Sequence, residues 1–314
     1  VLVLWAALSA GLFALVHVLP GSPEAELLAG HPELSADDAA RRAALAGLDL
    51  PLATRYRCWL LGRNPACPRW PNADGLLQGE LGWSTRHQRP VRALLQERLP
   101  NTLSLMLPAL GLSVLLAVGL GVLAATRGRW DRAVAGVAAV GLALPAHWLG
   151  LVAILVFAVG LGWLPSGGVQ GFEGGGRGPY LILPVGVLSV YYVGRFTRYV
   201  RAALREELGK PYLDTARAKG LTEAQVILRH ALPNALIPLV TVVAQSLPVL
   251  FSGALVVERV FAYPGMGLLI FESVEERDHL AAVTVFLIYA GLTFLAAGLA
   301  DVIYQALDPR TRSR

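Results

Sequence analysis

The stretch "DTARAKGLTEAQVILRHALPNALIP", Asp214 to Pro238, interrupts an otherwise apolar chain with charge, a glycine stop and a proline. Pro211 suits the first turn of a helix starting at about Tyr212, and Gly220 ends it, because glycine tolerates the left-handed conformation best. Lys219 lies near the carbonyl end, where a cation complements the helix dipole. A second element starts at once. Thr222 is an N-cap with Gln225 three residues on, a capping box, and Leu221 and Val226 are placed as a hydrophobic staple. The spacing predicts a second short helix that ends near Leu232-Pro233. Isolated helices this short are marginal, so a two-helix knob of this kind has to pack on something.

What surrounds the knob is apolar. Of 314 residues, 55% are hydrophobic and 16% charged, with a mean hydropathy of +0.54, whereas soluble domains carry roughly 25% charged residues. A hydrocarbon core of roughly 30 Å needs about 20 apolar residues per crossing. Six runs qualify, at about 1–19, 102–125, 133–160, 180–195, 236–257 and 281–303, and only Asp301 and Arg195, at run ends, bring charge into them. Amphipathic core helices of soluble proteins keep a polar face. The expected fold class is therefore an all-α polytopic membrane protein with six transmembrane helices. The first run is read as a retained anchor, since no charged n-region precedes it and it exceeds the usual core of a signal peptide.

Lys and Arg in the short loops set the sides. Segment 126–132, segment 195–235 and the tail together hold fourteen, against Arg177, Arg259 and Arg277 in the short loops facing the other way. The positive-inside rule then puts the knob and both termini in the cytoplasm. The net charge of +5 reflects topology, and no contiguous basic patch with interleaved aromatics suggests nucleic-acid binding. The organisation is a first span at 1–19, an external loop over 20–101 with short helices, a five-helix core over 102–308 that includes the cytoplasmic loop 196–235, and a cytoplasmic tail at 309–314.

Within the external loop, "SADDAARRAALAGLD" reads as a short surface helix capped by Ser35 and stopped by Gly47. An amphipathic helix is expected around 90–99, with Val91, Leu94, Leu95 and Leu99 on one face. Asn101 is expected to cap the second span and Asn234 to begin the fifth, each in a Leu-Pro-Asn triplet. Cys58 and Cys67 both lie in this loop, where an oxidising compartment permits a disulfide; a pair of free thiols is the other reading, and zinc would need more ligands. "GWLPSGGVQGFEGGGRGP", 162–179, reads as a hairpin-like loop. The Lys-Ser/Thr ending of a phosphate-binding loop is missing throughout, so the chain is not expected to hydrolyse a nucleotide.

At Asp214 to Pro233 the chain resembles the coupling loop of ABC importer permeases, whose pattern is Glu-Ala-Ala, three residues, Gly, nine residues, Ile, any residue, Leu-Pro. Asp214, Thr215 and Ala216 stand for the first three, Gly220 for the glycine, His230 for the isoleucine, and Leu232-Pro233 match. Asp, Thr and His are departures. "ARAKGL" is similar to the dipeptide/oligopeptide/nickel subfamily, as are "GLDLP" at 47–51, "GELGWS" at 79–84, "RPV" at 89–91, "LPNTL" at 99–103, "YPGMG" at 263–267 and "DPR" at 308–310. Six tags in order around six spans make the resemblance strong.

The resemblance implies a type I ABC importer permease fold in a bacterial inner membrane, with a second related permease, two ATPase subunits and an external solute-binding protein as partners. It implies no cofactor on this chain, ATP and Mg being held by the ATPases. In the family the two short helices sit in a groove on an ATPase subunit. The residues assigned to that contact are Asp214, Thr215, Ala216, Arg217, Lys219, Gly220, Leu221, Leu232 and Pro233, with Ala216 and Gly220 for close approach, Leu221 for packing and Asp214, Arg217 and Lys219 for rim charges. A solvated loop is the bland alternative. Peptides are the default substrate; nickel chelates or glutathione stay open.

An ion-coupled carrier should bury an ionisable group in the membrane, and only His147, in "LPAHWLG", approaches this. A pore-facing polar residue is the preferred reading for it, and Ser252 joins it as a candidate for the translocation path. An intramembrane hydrolase would need Ser166, Ser252 or Ser104 beside a base, and nothing brings nucleophile, base and oxyanion hole together. Glu258, Glu272, Glu275, Glu276 and Asp278 after the fifth span, with Arg86 and Arg89, are candidate docking charges for a partner or ordinary solvated residues.

Overall fold

A computed structural model describes residues 2–18, 50–62, 74–84, 86–169, 176–276 and 278–307. In order, α1 is Leu2–Val18 and α2 Leu52–Leu61, followed by a short hairpin of β1, Trp83–Ser84, and β2, Arg89–Pro90. Then come α3, Val91–Thr126; α4, Gly128–Ala143; α5, Ala146–Ala153, continued by a π turn over Ile154–Gly160; and α6, Gly178–Leu208. The knob is α7, Tyr212–Ala218, and α8, Glu223–Val226, continued by a π turn over Ile227–Ala231. The last three are α9, Leu232–Val260; α10, Met266–Glu275; and α11, His279–Leu307. The expected surface helix at 35–47, Cys67, residues 170–175, Arg277 and the tail at 309–314 lie outside the described residues.

Four helices are long and apolar enough to cross a bilayer: α3, α6, the run from Glu223 to Val260, and Ala281–Val302 within α11. The predicted third span is instead a bent pair, α4 and α5, turned by 102° at the break, and makes a fifth if it crosses as one. Pro145 explains the break: it pushes Leu144 into an extended conformation (φ −79°, ψ 123°), as a residue before proline tends to be. The first predicted run forms α1, whose apolar part, Val3–Leu15, is shorter than the others.

Two expectations about helix starts are corrected. No separate helix occupies 90–99, because α3 runs unbroken from Val91 through Pro100 and Pro108. Asn101 consequently lies inside a helix and caps nothing; its amide donates to the Pro264 carbonyl at 2.8 Å. Asn234 likewise sits within α9, where Leu232 and Pro233 already form the first turn.

The chain divides into two compact units. In the first, residues 1–99 and 269–292, α1, α2 and α11 share an apolar cluster of Phe13, Trp59, Leu76, Val283 and Leu287. Phe13 meets Tyr56 edge-on at 5.5 Å, and the Tyr56 hydroxyl pairs with that of Ser9 at 2.7 Å. The hairpin is pinned by Asp278: Ser84 Oγ donates to its carboxylate at 2.5 Å and the Arg86 N–H at 3.3 Å. The same carboxylate accepts the Ala281 N–H at 3.4 Å and so caps α11.

In the second unit, residues 100–268 and 293–314, α6 is central and packs on both α4 and α9. Its apolar window is 56% buried, against 33–39% for the other long spans. Glycines permit the close approach to α4: a Cβ on Gly141 would meet the Val190 carbonyl at 3.0 Å, and one on Gly194 would meet that of Ala138 at 2.6 Å. Small residues serve this purpose between membrane helices. Between α3 and α6, Ser113 Oγ reaches the Ser189 carbonyl at 3.3 Å and Ser189 Oγ the Ala109 carbonyl at 3.2 Å.

Glu258 organises the "YPGMG" turn. Its side chain is fully buried, accepting the Thr102 hydroxyl at 2.6 Å and the Leu268 N–H at 3.0 Å, while Thr102 Oγ1 accepts the Met266 N–H at 2.8 Å. These are first-turn donors of α10, which have no partner within their own helix. A Cβ on Gly265 would collide with that carboxylate at 2.2 Å, so this glycine makes room for it, while one on Gly267 would meet the Leu255 Cα first, at 2.4 Å, and the carboxylate only at 2.9 Å. Glu258→Ala should lower stability by about 1–3 kcal/mol, because a buried N–H and hydroxyl lose their acceptor. Thermal unfolding of the detergent-solubilised chain reads this as a lower midpoint, and an unchanged midpoint would show that Glu258 does not hold the turn.

Candidate functional site

The knob is assembled from pieces too short to stand alone. Helix α7 has 7 residues and α8 has 4 before its π turn. Their stability comes from an apolar cluster in which Leu213 and Ala216 of α7 meet Leu204 of α6, Val226 of α8, Ala231 and Ala235, with Leu221 packed alongside. Leu221 and Val226 therefore share one cluster, as the staple requires. Thr222 accepts the Gln225 N–H at 3.4 Å and the Gln225 side chain accepts the Thr222 N–H at 2.9 Å, which completes the capping box.

Gly220 stands between the two helices at φ +81°, and no atom lies within 4 Å of where its Cβ would be. Backbone sign, not crowding within this chain, is what demands glycine here. Across that corner Arg217 bridges both helices, bonding Asp214 at 2.9 Å and Glu223 at 3.0 Å. Hydrogen bonds to Glu223 and then Asp214 hold the Arg217 guanidinium above its ordinary range. All three groups are exposed, and exposed pairs of this kind add little stability.

The assigned residues fall on two faces. Ala216 turns into the chain's own cluster, Leu221 and Leu232 are half-buried, and Asp214, Thr215, Arg217, Lys219, Gly220 and Pro233 are exposed. Ala216 is thus a core residue here, not a free surface for close approach. Leu228, 60% exposed, is an apolar residue on the open side of the knob that the sequence reading passed over.

Behind the knob lies a polar node, also unforeseen. Glu207, buried in the last turn of α6, accepts Lys210 Nζ at 2.5 Å and the Tyr212 hydroxyl at 2.6 Å. Asn234 Nδ2 donates to Tyr212 Oη and to the His230 carbonyl, each at 3.0 Å. Burial, then the hydrogen bond to Glu207, pushes the Tyr212 phenol above its ordinary value, and the Glu207 carboxylate raises Lys210. The visible signal was a glutamate three residues before a lysine, with a tyrosine opening the next helix. A further brace joins α4 to α6, where Asp131 pairs with Arg201 and, at 2.9 Å, with Arg205.

The remaining candidates are scattered. His147 in α5 and Ser252 in α9 are both exposed. Ser104 Oγ is engaged with the Asn101 carbonyl at 2.7 Å and Tyr263 Oη at 2.8 Å. Cys58 is fully buried and not a free thiol; Cys67 lies outside the described residues. Of the five acidic residues proposed for docking, Glu258 and Asp278 are buried. Glu272 pairs with Arg98, and Glu276 with Arg86, each at 3.4 Å, while Arg89 pairs with Glu97 at 3.1 Å. Among the described residues no group of three or more His, Cys, Asp or Glu is placed to hold a metal.

A polytopic helical chain with a braced, capped knob between two long spans is the architecture of a transporter's membrane subunit. Residues 117–313 match the family of binding-protein-dependent transport system inner membrane components, and the chain belongs to that family. It is 34% identical over 305 residues to the oligopeptide transport system permease protein AppB of Bacillus subtilis (strain 168), covering 95% of this chain and 92% of that one. It is 36% identical over 303 residues to the glutathione transport system permease protein GsiC of Escherichia coli (strain K12), covering 96% and 92%. Among solved structures it resembles the MetNI methionine ABC transporter in an inward-facing conformation, with a TM-score of 0.55 and 22% identity over 69% of this chain and 97% of that one. That likeness supports the type I importer permease fold. The chain is a multi-pass inner-membrane component of an ABC importer, not an enzyme, and works with ATPase and solute-binding partners.

Two substitutions should loosen the knob locally. Gly220→Ala forces a Cβ into the left-handed region at a cost of about 1–2 kcal/mol, and Thr222→Ala removes the cap at a cost of about 1 kcal/mol. Both should speed amide hydrogen exchange across residues 212–226 and leave α3 and α6 unchanged, whereas Arg217→Ala should alter neither.

Proposed function

We propose that this chain forms half of the translocation path of an ATP-driven peptide importer, pairing with a second, related permease and with two ATPase subunits. The observation that carries the reading is the knob: a capped, internally braced pair of helices continuous with α9, matching the coupling-loop pattern from Asp214 to Pro233. In this reading α7 and α8 dock in a groove of an ATPase subunit. Thr215, Lys219, Gly220 and Leu228 supply exposed surface, and Asp214 and Arg217 supply rim charge. Closure of the ATPases then displaces the knob and biases a two-state rearrangement of the spans.

Six spans follow if α1 crosses and the bent pair counts as one. By the positive-inside rule, the fourteen basic residues support a cytoplasmic knob and cytoplasmic termini, with 20–101 outside, where Cys58 and Cys67 form a disulfide. A solute-binding protein docks on that side, and His147 and Ser252 line the path. ATP and Mg belong to the ATPase subunits, so the purified chain alone binds no nucleotide. Di- and oligopeptides are the substrate class, on the strength of the AppB relative. Glutathione is the second reading, favoured by the GsiC relatives; it is itself a small peptide.

Affinity purification from the native membrane in mild detergent tests the assembly. A second polytopic permease and P-loop ATPases should accompany the wild-type chain, and the ATPases should be lost or weakened with Gly220→Val. A chain that emerges alone, or that binds ATP saturably by itself, contradicts the proposal.

A further inference from the structure

Apolar contacts hold the knob against the spans, but such contacts are non-directional; they resist separation better than they resist rotation or sliding. Directionality at the base of the knob comes from one side chain. Tyr212 opens α7, and its hydroxyl lies 2.6 Å from Glu207 Oε1 at the end of α6, 3.2 Å from the His230 carbonyl in the π turn, and 3.0 Å from Asn234 Nδ2 in the first turn of α9. A phenol has one proton to give, and a tyrosine oxygen can also accept. The shorter bond to the carboxylate takes that proton. Asn234 then gives one amide proton to Tyr212 Oη and the other to the His230 carbonyl at 3.0 Å, and Lys210 supplies the second oxygen of Glu207. The phenol proton and both amide protons of Asn234 are used.

The surrounding backbone explains why a side chain is needed there. Pro233 has no N–H, so the helical ladder loses a rung. The chain enters α9 through a π turn in which the Leu232 N–H reaches back to the Ile227 carbonyl. Side chains of Asn234 and Tyr212 gather at the His230 carbonyl beside this irregular turn. Because Tyr212 is itself 39% exposed, its ring is no part of the buried cluster, and its bonds compete with water.

We propose that Tyr212 is a positioning residue for energy coupling: its hydroxyl fixes the angle of the knob to the ends of α6 and α9 at once, so a displacement of the knob reaches both spans together. This rests on the reading of the knob as the ATPase-docking element. Without the hydroxyl the knob stays folded on Leu213 and Ala216 and still recruits its ATPase, but it turns on its base and ATP is spent without moving the spans.

The test uses the complete transporter in proteoliposomes, with its partner permease, both ATPase subunits and its binding protein. ATP hydrolysis is measured together with uptake of radiolabelled dialanine, or of glutathione where dialanine is not carried. Tyr212→Phe should lower substrate moved per ATP by about fivefold or more, the lower end of ordinary coupling energies, with ATPase subunits retained and the unfolding midpoint unchanged. Asn234→Leu, which spares the tyrosine and its bond to Glu207, should do the same, and the double variant should be no worse than either single one. Glu207→Gln keeps an acceptor and should retain most of the coupling. A wild-type ratio in both Tyr212→Phe and Asn234→Leu overturns the proposal, as does a loss that only follows a falling midpoint. A wild-type chain that recruits no ATPase overturns the reading of the knob as well, which separates the two failures.

Discussion

A bilayer interior supplies no water to a stray N–H or carbonyl, so an irregularity of the backbone there needs a local substitute for the missing bond. Where α10 begins, Thr102 and Glu258 receive its first N–H groups. Where α3 and α6 touch, two serines reach each other's helices. Thr102 and Glu258 thus repair the backbone at the start of α10, and the two serines tie one helix to the next.

The same economy shapes the knob. Its two helices are below the length at which helices persist alone, so they borrow stability from α6 and α9 through one apolar cluster, while a capping box and a left-handed glycine set the corner between them. Packing, corner and polar base restrict different motions. A small body restricted in all three can pass on a push without absorbing it.

Much of this was legible in the primary structure because it is local. The capping box, the glycine stop and the charge asymmetry depend on residues a few positions apart, and the apolar runs announce themselves by length. Proline was read less well. Pro100 does not end a helix, while Pro145, a proline of the kind that bends a helix, breaks one by 102°. Asn101 and Asn234 look like caps in isolation and are not, because helices extend past them. Glu258 and Asp278 look like surface charges, and only the folded chain shows which backbone donors surround them. Tyr212 carries only a faint local signal, the glutamate and lysine just before it, since its partners come from three separate elements.

The fit between Glu258 and the glycine at 265 has a consequence for how such chains diverge. A carboxylate of that length needs position 265 to lack a side chain, since a Cβ there would fall 2.2 Å from its carboxyl carbon. Neither member can drift far while the other stays as it is. Relatives should therefore keep the two together or exchange them together, and a homologue with alanine at that glycine should carry a shorter acid, or none, at the position of Glu258.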